Sequence, residues 1–240
     1  MCSSDLVVID AKNRRMSLFN KHMGFAEAYA TRWDEADADI ELESPQDVVV
    51  GRHGRLYISD EALSQIVVLD SYGRYQFRFG EFGVFGVKFN EPQGLALDEY
   101  GHVYIADKGN NRIIKVDARG EKMMDIPASE GHLVAPVDVK VLGDGRIYGL
   151  DKAGIKQYSA LGRFEKMVLA VDKANAFTVD EQQRWVVAFK EKGAVRIYNA
   201  KGEVLLTLAD IEQPEDVVVK QGKLWVTDGK THQVHRYRYD

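Results

Sequence analysis

A phrase of about 40 residues returns several times along this 240-residue chain, and that recurrence restricts the fold more than composition does. It is plainest over residues 89–121, FNEPQGLALDEYGHVYIADKGNNRIIKVDARGE. LALD, HVYIAD and RIIKVD are short apolar, β-branched and aromatic runs. DEYG, KGNN and ARG between them are turn sequences, because glycine takes positive φ without steric cost and Asp and Asn bond their own backbone. Copies open at SPQDVVV (44–50), EPQGLAL (91–97), APVDVKV (135–141), ANAFTV (174–179) and QPEDVVV (213–219). Pro45, Pro92, Pro136 and Pro214 hold one place, spaced by 47, 44 and 78 residues, the last gap being close to two units. Gly54, Gly101, Gly145 and Gly222 mark a first hairpin turn in their units, and Gly73, Gly120, Gly162 and Gly202 a second.

A period near 40 with four strands per unit predicts a β-propeller of four-stranded antiparallel blades. One such sheet cannot hide both faces by itself. Blades must stack, which accounts for the unbroken apolar runs VVV, LAL and VKV where a half-exposed strand would alternate. At about 40 residues per blade the chain predicts an all-β, six-bladed ring over residues 1–240, read as one domain. The alternative is five blades, with the N-terminal segment patching the last. Asp10, Asn13, Arg15 and Asn20 repeat the spacing of Asp107, Asn110, Arg112 and Asp117. In that register the chain starts at a second strand and ends at a third, giving about 22 strands and an irregular seam.

A net charge of −5 and a pI near 5.7 disfavour a general nucleic-acid binder, which carries a basic face. The single cysteine, Cys2, excludes an internal disulfide framework and a multi-cysteine metal cluster, and reads as a thiol at a frayed terminus. No apolar run reaches the length of a membrane span, and the N-terminus lacks the charged start and apolar core of a signal peptide. A soluble protein is expected, with its compartment left open.

The run FGEFGVFGVKFNEPQGLALDEYGHVYIADKGNNRIIKVDARGE resembles the NHL repeat family. The likeness is sharpest from Phe79 to Glu121. It fades in the third and fourth units, where the shorter DKAGIKQ and FKEKGAVR replace the Asp-x-x-Asn-x-Arg loop. The resemblance implies a six-bladed propeller. Members include protein-interaction platforms, RNA-binding domains and sensors, and related six-bladed propellers include metal-dependent lactonases and an amidating lyase. Fold alone does not choose among these.

Asp47, Asp138 and Asp216 stand at one position of three inner strands, where the chain comes close to the axis. A ring of carboxylates there could hold Ca²⁺ or Mg²⁺, which take oxygen ligands, or attract a cationic ligand. The competing reading is that each Asp bonds nearby backbone N–H groups, and Gly94 and Ala176 interrupt the ring. No resident cofactor is expected beyond such an axial ion. A second series, Asp10, Asp60, Asp107, Asp151 and Asp228, ends second strands. Its regularity points to bracing of the following loop and pairing with a downstream Arg or Lys, as Asp107 with Arg112. The six histidines do not gather into the roughly three-ligand set that catalytic zinc needs, and no nucleophile–base pair is visible.

Two surface stretches remain. WDEADADIELE (33–43), with six acids in eleven residues, reads as a solvated connection or a docking strip for a basic partner. FGEFGVFGVKFN (79–90) joins two units with glycines and with Phe82, Val84, Phe85 and Val87, suiting either a binding lip or a plug between blades. The basic residues Lys108, Arg112, Arg15, Lys156 and Arg196 sit at loop exits on the same presumed top face, without the interleaved aromatics of an RNA surface. The expected role is a non-catalytic binding platform for a protein or small ligand. Its ligand-binding residues would be Asp47, Asp138, Asp216, Phe82, Phe85, Lys108 and Arg112. The alternative is a metal-dependent hydrolase or lyase on the axial carboxylates.

Overall fold

The computed structural model describes residues 6–10, 15–19, 25–29, 32–35 and 38–239. Each repeat folds as an antiparallel meander whose first strand carries the Pro-x-Asp phrase or its variant. The first blade is β6 (Pro45–Val50), β7 (Leu56–Asp60), β8 (Gln65–Leu69) and β9 (Tyr75–Phe79). The second is β10 (Pro92–Leu97), β11 (Val103–Asp107), β12 (Arg112–Val116) and β13 (Lys122–Ile126). The third is β14 (Asp138–Val141), β15 (Ile147–Asp151), β16 (Gly154–Tyr158) and β17 (Phe164–Ala170). The fourth is β18 (Ala176–Val179), β19 (Trp185–Phe189), β20 (Ala194–Tyr198) and β21 (Val204–Leu208). The fifth has three strands, β22 (Pro214–Lys220), β23 (Lys223–Asp228) and β24 (Gln233–Arg238).

Among the described residues the propeller thus has five blades, the alternative count, and the expectation of six is corrected. Dividing length by repeat period counts residues, whereas a blade needs an inner strand, and the chain ahead of Ser44 has no copy of the Pro-x-Asp phrase. It forms instead a separate three-stranded sheet, β1 (Leu6–Asp10), β2 (Arg15–Phe19) and β3 (Phe25–Tyr29), which pairs within itself and not with the last blade. Asp10 stands opposite Arg15 in this sheet as Asp107 stands opposite Arg112, so β1 has the register of a second strand. Among the described residues β1 is the first strand of its sheet; it lies beside β6, and Val7, Val8 and Ile9 line the axial cavity. The acidic stretch also differs from the expected open connection: β4 (Arg32–Glu35) pairs with β5 (Ala38–Glu41) as a hairpin. The side chains of residues 32–40 lie outside the described residues, as do Cys2, Asn13, Asn20 and His22.

There is no single central core. Apolar side chains fill wedges between neighbouring sheets, as stacking blades require. Ile66, Val68 and Phe89 meet Leu95, Ile105 and Ile114 between the first two blades, and Val186 and Val195 meet Val217 and Val226 between the last two. Met16 closes a similar wedge against Leu56, Ile58 and Val67. In the first four blades the second and third strands are sandwiched on both faces, which is why VYIAD and QIVVL are buried along their whole length, whereas the third strand of the fifth blade has no buried residue. Among the described residues no helix is long and apolar enough to cross a membrane.

Candidate functional site

The five inner strands begin around one end of the axis, and their first residues line a cavity of about 320 Å³. Asp47, Asp138 and Asp216 all reach it. Each carboxylate first serves its own strand: Oδ1 accepts the next residue's N–H at 2.7 Å, from Val48, Val139 and Val217 respectively. The second oxygen crosses to a neighbour. Asp47 Oδ2 accepts Leu95 N–H of the second blade at 2.7 Å, and Asp138 Oδ2 accepts Phe177 N–H of the fourth at 3.0 Å. Bonding to nearby backbone, anticipated from the sequence, is therefore half of the arrangement. The other half ties one blade to the next.

Gly94 interrupts the ring for a steric reason. A Cβ there would lie 2.7 Å from both Cα and Oδ1 of Asp138, so the adjacent blade already occupies the space an aspartate would need.

A cation sits among these acids, supplied by the chain itself. Lys140 lies two residues beyond Asp138, on the same face of β14, and its Nζ donates to Asp138 Oδ1 at 2.6 Å. The ammonium also stands 5.6 Å from the centre of the Phe177 ring. Burial pulls the lysine down, but Asp138, Asp47 and Asp216 together outweigh it and leave the ammonium above the usual lysine range. For Asp216 burial is the chief cause of an upward shift, with Lys140 opposing it and Asp138 adding to it. Burial likewise pushes Asp47 up to about 7, against the pull of Lys140 and with the help of Asp216 and Asp138. One ammonium among three carboxylates leaves a surplus of negative charge that a proton relieves.

The stability consequence follows from the direction of that shift. Asp47 has an ordinary value of 3.8 and a folded value near 7, so between these the folded protein holds a proton that the unfolded chain has released. Its contribution is present below about pH 4 and is lost as pH rises through about 7. Urea midpoints taken across this range should therefore show the wild type losing stability relative to Asp47→Asn as pH rises. A constant difference between the two proteins would contradict the assignment.

Ca²⁺ and Mg²⁺ need several oxygen donors free to turn toward one point. Both oxygens of Asp47 and of Asp138 already accept backbone N–H groups, and a divalent ion would have to displace the Lys140 ammonium from Asp138. Among the described residues no group of three or more His, Cys, Asp or Glu is placed to hold a metal ion. As arranged, the residues do not fit a resident divalent cation. Lys140 is the axial residue that sequence reasoning missed. It is the one Lys or Arg at that inner-strand position, where the other blades have Val49, Ala96, Thr178 and Val218.

Just outside the aspartates, the residue before each ring position lines the mouth: Gln46, Gln93, Val137, Asn175 and Glu215. Asn175 Nδ2 donates to the Glu215 carbonyl at 2.7 Å, and Lys190 Nζ lies 2.8 Å from Glu215 Oε1. Gln93 Nε2 is buried and finds no partner among the described residues, leaving a donor at the mouth for an incoming acceptor.

The second aspartate series is structural in its geometry. Asp60, Asp107, Asp151 and Asp228 are buried, and each accepts a backbone N–H from the chain leading into its blade: Glu43, Asn90, Val134 and Glu212. Asp107 also accepts Arg112 Nε at 2.7 Å, and Asp151 accepts Lys156 Nζ at 2.6 Å. In the fourth blade Phe189 replaces the acid, and Arg196 lies over its ring instead, at 5.2 Å. Arg112 is thus a buried strut, and Lys108 pairs with Glu91 at 2.6 Å.

Arg112 and its neighbour Asn110 shape the lip. Arg112 donates to the Lys88 carbonyl at 2.7 Å, and Asn110 Nδ2 to the Gly83 carbonyl at 2.8 Å. Across the base of the loop Phe89 N–H bonds the Glu81 carbonyl at 2.8 Å, and Lys88 pairs with Glu81 at 2.8 Å. Phe89 and Val87 enter the wedge between the first and second blades. Phe82, Val84 and Phe85 point the other way, 74%, 57% and 85% exposed. The stretch divides its duties between plug and lip.

The fold has many known counterparts. A chain of the nidogen/laminin complex superposes with a TM-score of 0.76 at 17% identity, covering 98% of this chain and 88% of that one. The hydrazine synthase of Kuenenia stuttgartiensis gives 0.73 at 12% identity, over 98% and 92%. A streptogramin B lyase gives 0.68 at 11% identity, over 100% and 81%. At such identities the likeness is one of fold. No curated protein matches the sequence. The NHL repeat family matches residues 89–115 and 212–237, which fall in the second and fifth blades. This chain is thus a β-propeller, two of whose blades contain a segment that matches the NHL repeat.

Proposed function

We propose that this protein is a non-catalytic binding platform, with the Phe82–Phe85 lip docking a protein partner and the axial mouth taking small polar groups. One observation carries the reading: two phenylalanines are more exposed than covered on a loop whose backbone is pinned by Asn110, Arg112 and Glu81. Apolar side chains held rigid in water lose little conformational freedom when covered, and so favour association. The free amide donor of Gln93 supports the mouth's part in recognition. The fold's presence in a nidogen/laminin complex supports a propeller of this shape serving in protein assembly. The competing reading, a metal-dependent hydrolase or lyase, has the fold of a streptogramin B lyase on its side. Against it, the Lys140 ammonium already occupies Asp138, and among the described residues no group of three or more His, Cys, Asp or Glu is placed to hold a metal ion.

The double substitution Phe82→Ser with Phe85→Ser tests the platform. Both side chains are exposed, so the unfolding free energy should stay within about 0.5 kcal/mol of wild type. Cross-linked capture of a partner, read by mass spectrometry, should disappear. Unfolding of the double variant would make these residues core and end the reading, as would capture that persists undiminished.

A further inference from the structure

The first hairpin turn of each blade lies at the far end of the inner strand from the axial aspartates. In the second and fourth blades it opens with an acid that also bonds the side chain of the residue just ahead of the next strand. Asp98 Oδ2 lies 2.8 Å from His102 Nδ1, and Asp180 Oδ2 accepts Arg184 Nε at 2.6 Å. The third blade reaches the same end by another route, with Asp144 Oδ2 accepting Arg146 Nε at 2.6 Å. At this register the first blade reads Gly51-Arg52-His53-Gly54-Arg55. The turn's shape is retained: Gly51 N–H bonds the Arg55 carbonyl at 2.7 Å, as Asp98 N–H bonds the His102 carbonyl at 3.1 Å. Its charge is reversed, since Asp98 and Glu99 have Gly51 and Arg52 as their counterparts.

Arg55 is consequently left without its acid. Among the described residues it makes a long 3.5 Å contact to the Ala118 carbonyl and lies 5.9 Å from the Phe77 ring, and no carboxylate pairs with it. Arg52 donates to the backbone carbonyl of Glu99. Both arginines line a cavity of about 330 Å³ between the first two blades, with His53, Tyr57 and Tyr100 beside them. The acid on this wall, Asp70, is engaged by Arg74 Nε at 2.8 Å and by the N–H groups of Tyr72 and Arg74. Gly51 also clears the wall, for a Cβ there would stand 3.0 Å from the Tyr57 ring.

We propose that this cavity is a binding site for the oxyanion of a small organic ligand, a phosphate or a carboxylate. Guanidinium groups recognise such groups through paired, charge-assisted N–H bonds, and the neighbouring tyrosine rings suit an aromatic body behind the anion. The site is separate from the lip and the axial mouth, and it stands or falls independently of them.

Calorimetric titration of the full chain at low salt, with phenyl phosphate, benzoate and inorganic phosphate in turn, tests it. Saturable one-to-one binding of phenyl phosphate or benzoate is expected, and the preference between them identifies the oxyanion. Arg52→Ala, Arg55→Met and Gly51→Asp should each weaken binding about ten-fold or more, the loss of one charge-assisted bond. Arg163→Met, on a turn of the third blade, should leave it unchanged. No saturable binding of any probe would overturn the proposal, as would binding indifferent to Arg52→Ala. Arg52 is exposed, so that variant decides the matter even where Gly51→Asp fails to fold.

Discussion

Asp138→Ala should lower the unfolding free energy by about 3 kcal/mol, which is large for one short side chain. The carboxylate accepts Val139 N–H and, across the blade boundary, Phe177 N–H, both of which lose their acceptor. It also holds the Lys140 ammonium at 2.6 Å, and removing one partner of a covered ion pair leaves the other charge badly solvated. The lysine side chain is 25% exposed and still faces Asp47 and Asp216, which keeps the loss near the lower end of the range for buried pairs. Pairing Asp138→Ala with Lys140→Met separates the contributions. If the stranded ammonium matters, the double variant should recover about 1 kcal/mol or more relative to Asp138→Ala in urea denaturation. No recovery would place the whole cost on the two backbone N–H groups.

Asp107→Ala should cost more, about 3 to 5 kcal/mol, because its surroundings are drier. Asp107 is fully buried and accepts Asn90 N–H, Asn110 Nδ2 and Arg112 Nε at 2.8, 2.8 and 2.7 Å. Burial nevertheless leaves its carboxyl above the usual range, so the three bonds offset the desolvation only in part. Arg112 would keep a looser contact to Asp125 at 3.5 Å. The same loss should reach the lip, since Asn110 and Arg112 hold the Gly83 and Lys88 carbonyls. Limited chymotrypsin digestion, cutting after Phe82 or Phe85, should therefore speed up well below the melting temperature. A stability loss under 1 kcal/mol, or unaltered cleavage, would show that Arg112 keeps its place without Asp107.

The blade architecture was legible because one phrase had to satisfy the same demands in most copies. Proline at the inner strand, glycine in both turns and a buried acid closing the second strand each answer a backbone requirement, so they recur in register in four of the five blades. Features used once were harder to see. The hairpin at Arg32–Glu41 has acids where strands usually have β-branched residues, and read as an open connection. The blade count went astray because length was divided by period while the segment before Ser44 has no inner strand. Lys140 was within reach, since an axial strand alternates and a lysine two places after Asp138 must share its side. Recurrence marks the positions that every blade needs, and Lys140 departs from the pattern. Arg55 was hidden for the same reason. Its meaning comes from an acid missing beside it, which appears only when the turns are laid over one another.

The polar ties gather where inner strands begin, and apolar contact is confined to the seams between neighbouring sheets. The turns on the opposite rim close their own hairpins and add a few ties of their own between blades, such as Arg52 to the Glu99 carbonyl and the Tyr239 hydroxyl to Asp180. A lineage is free to rewrite them singly, exchanging charge or size in one blade while the others keep their old composition. A molecule built this way can acquire a new specificity on one rim without renegotiating the assembly that holds it together.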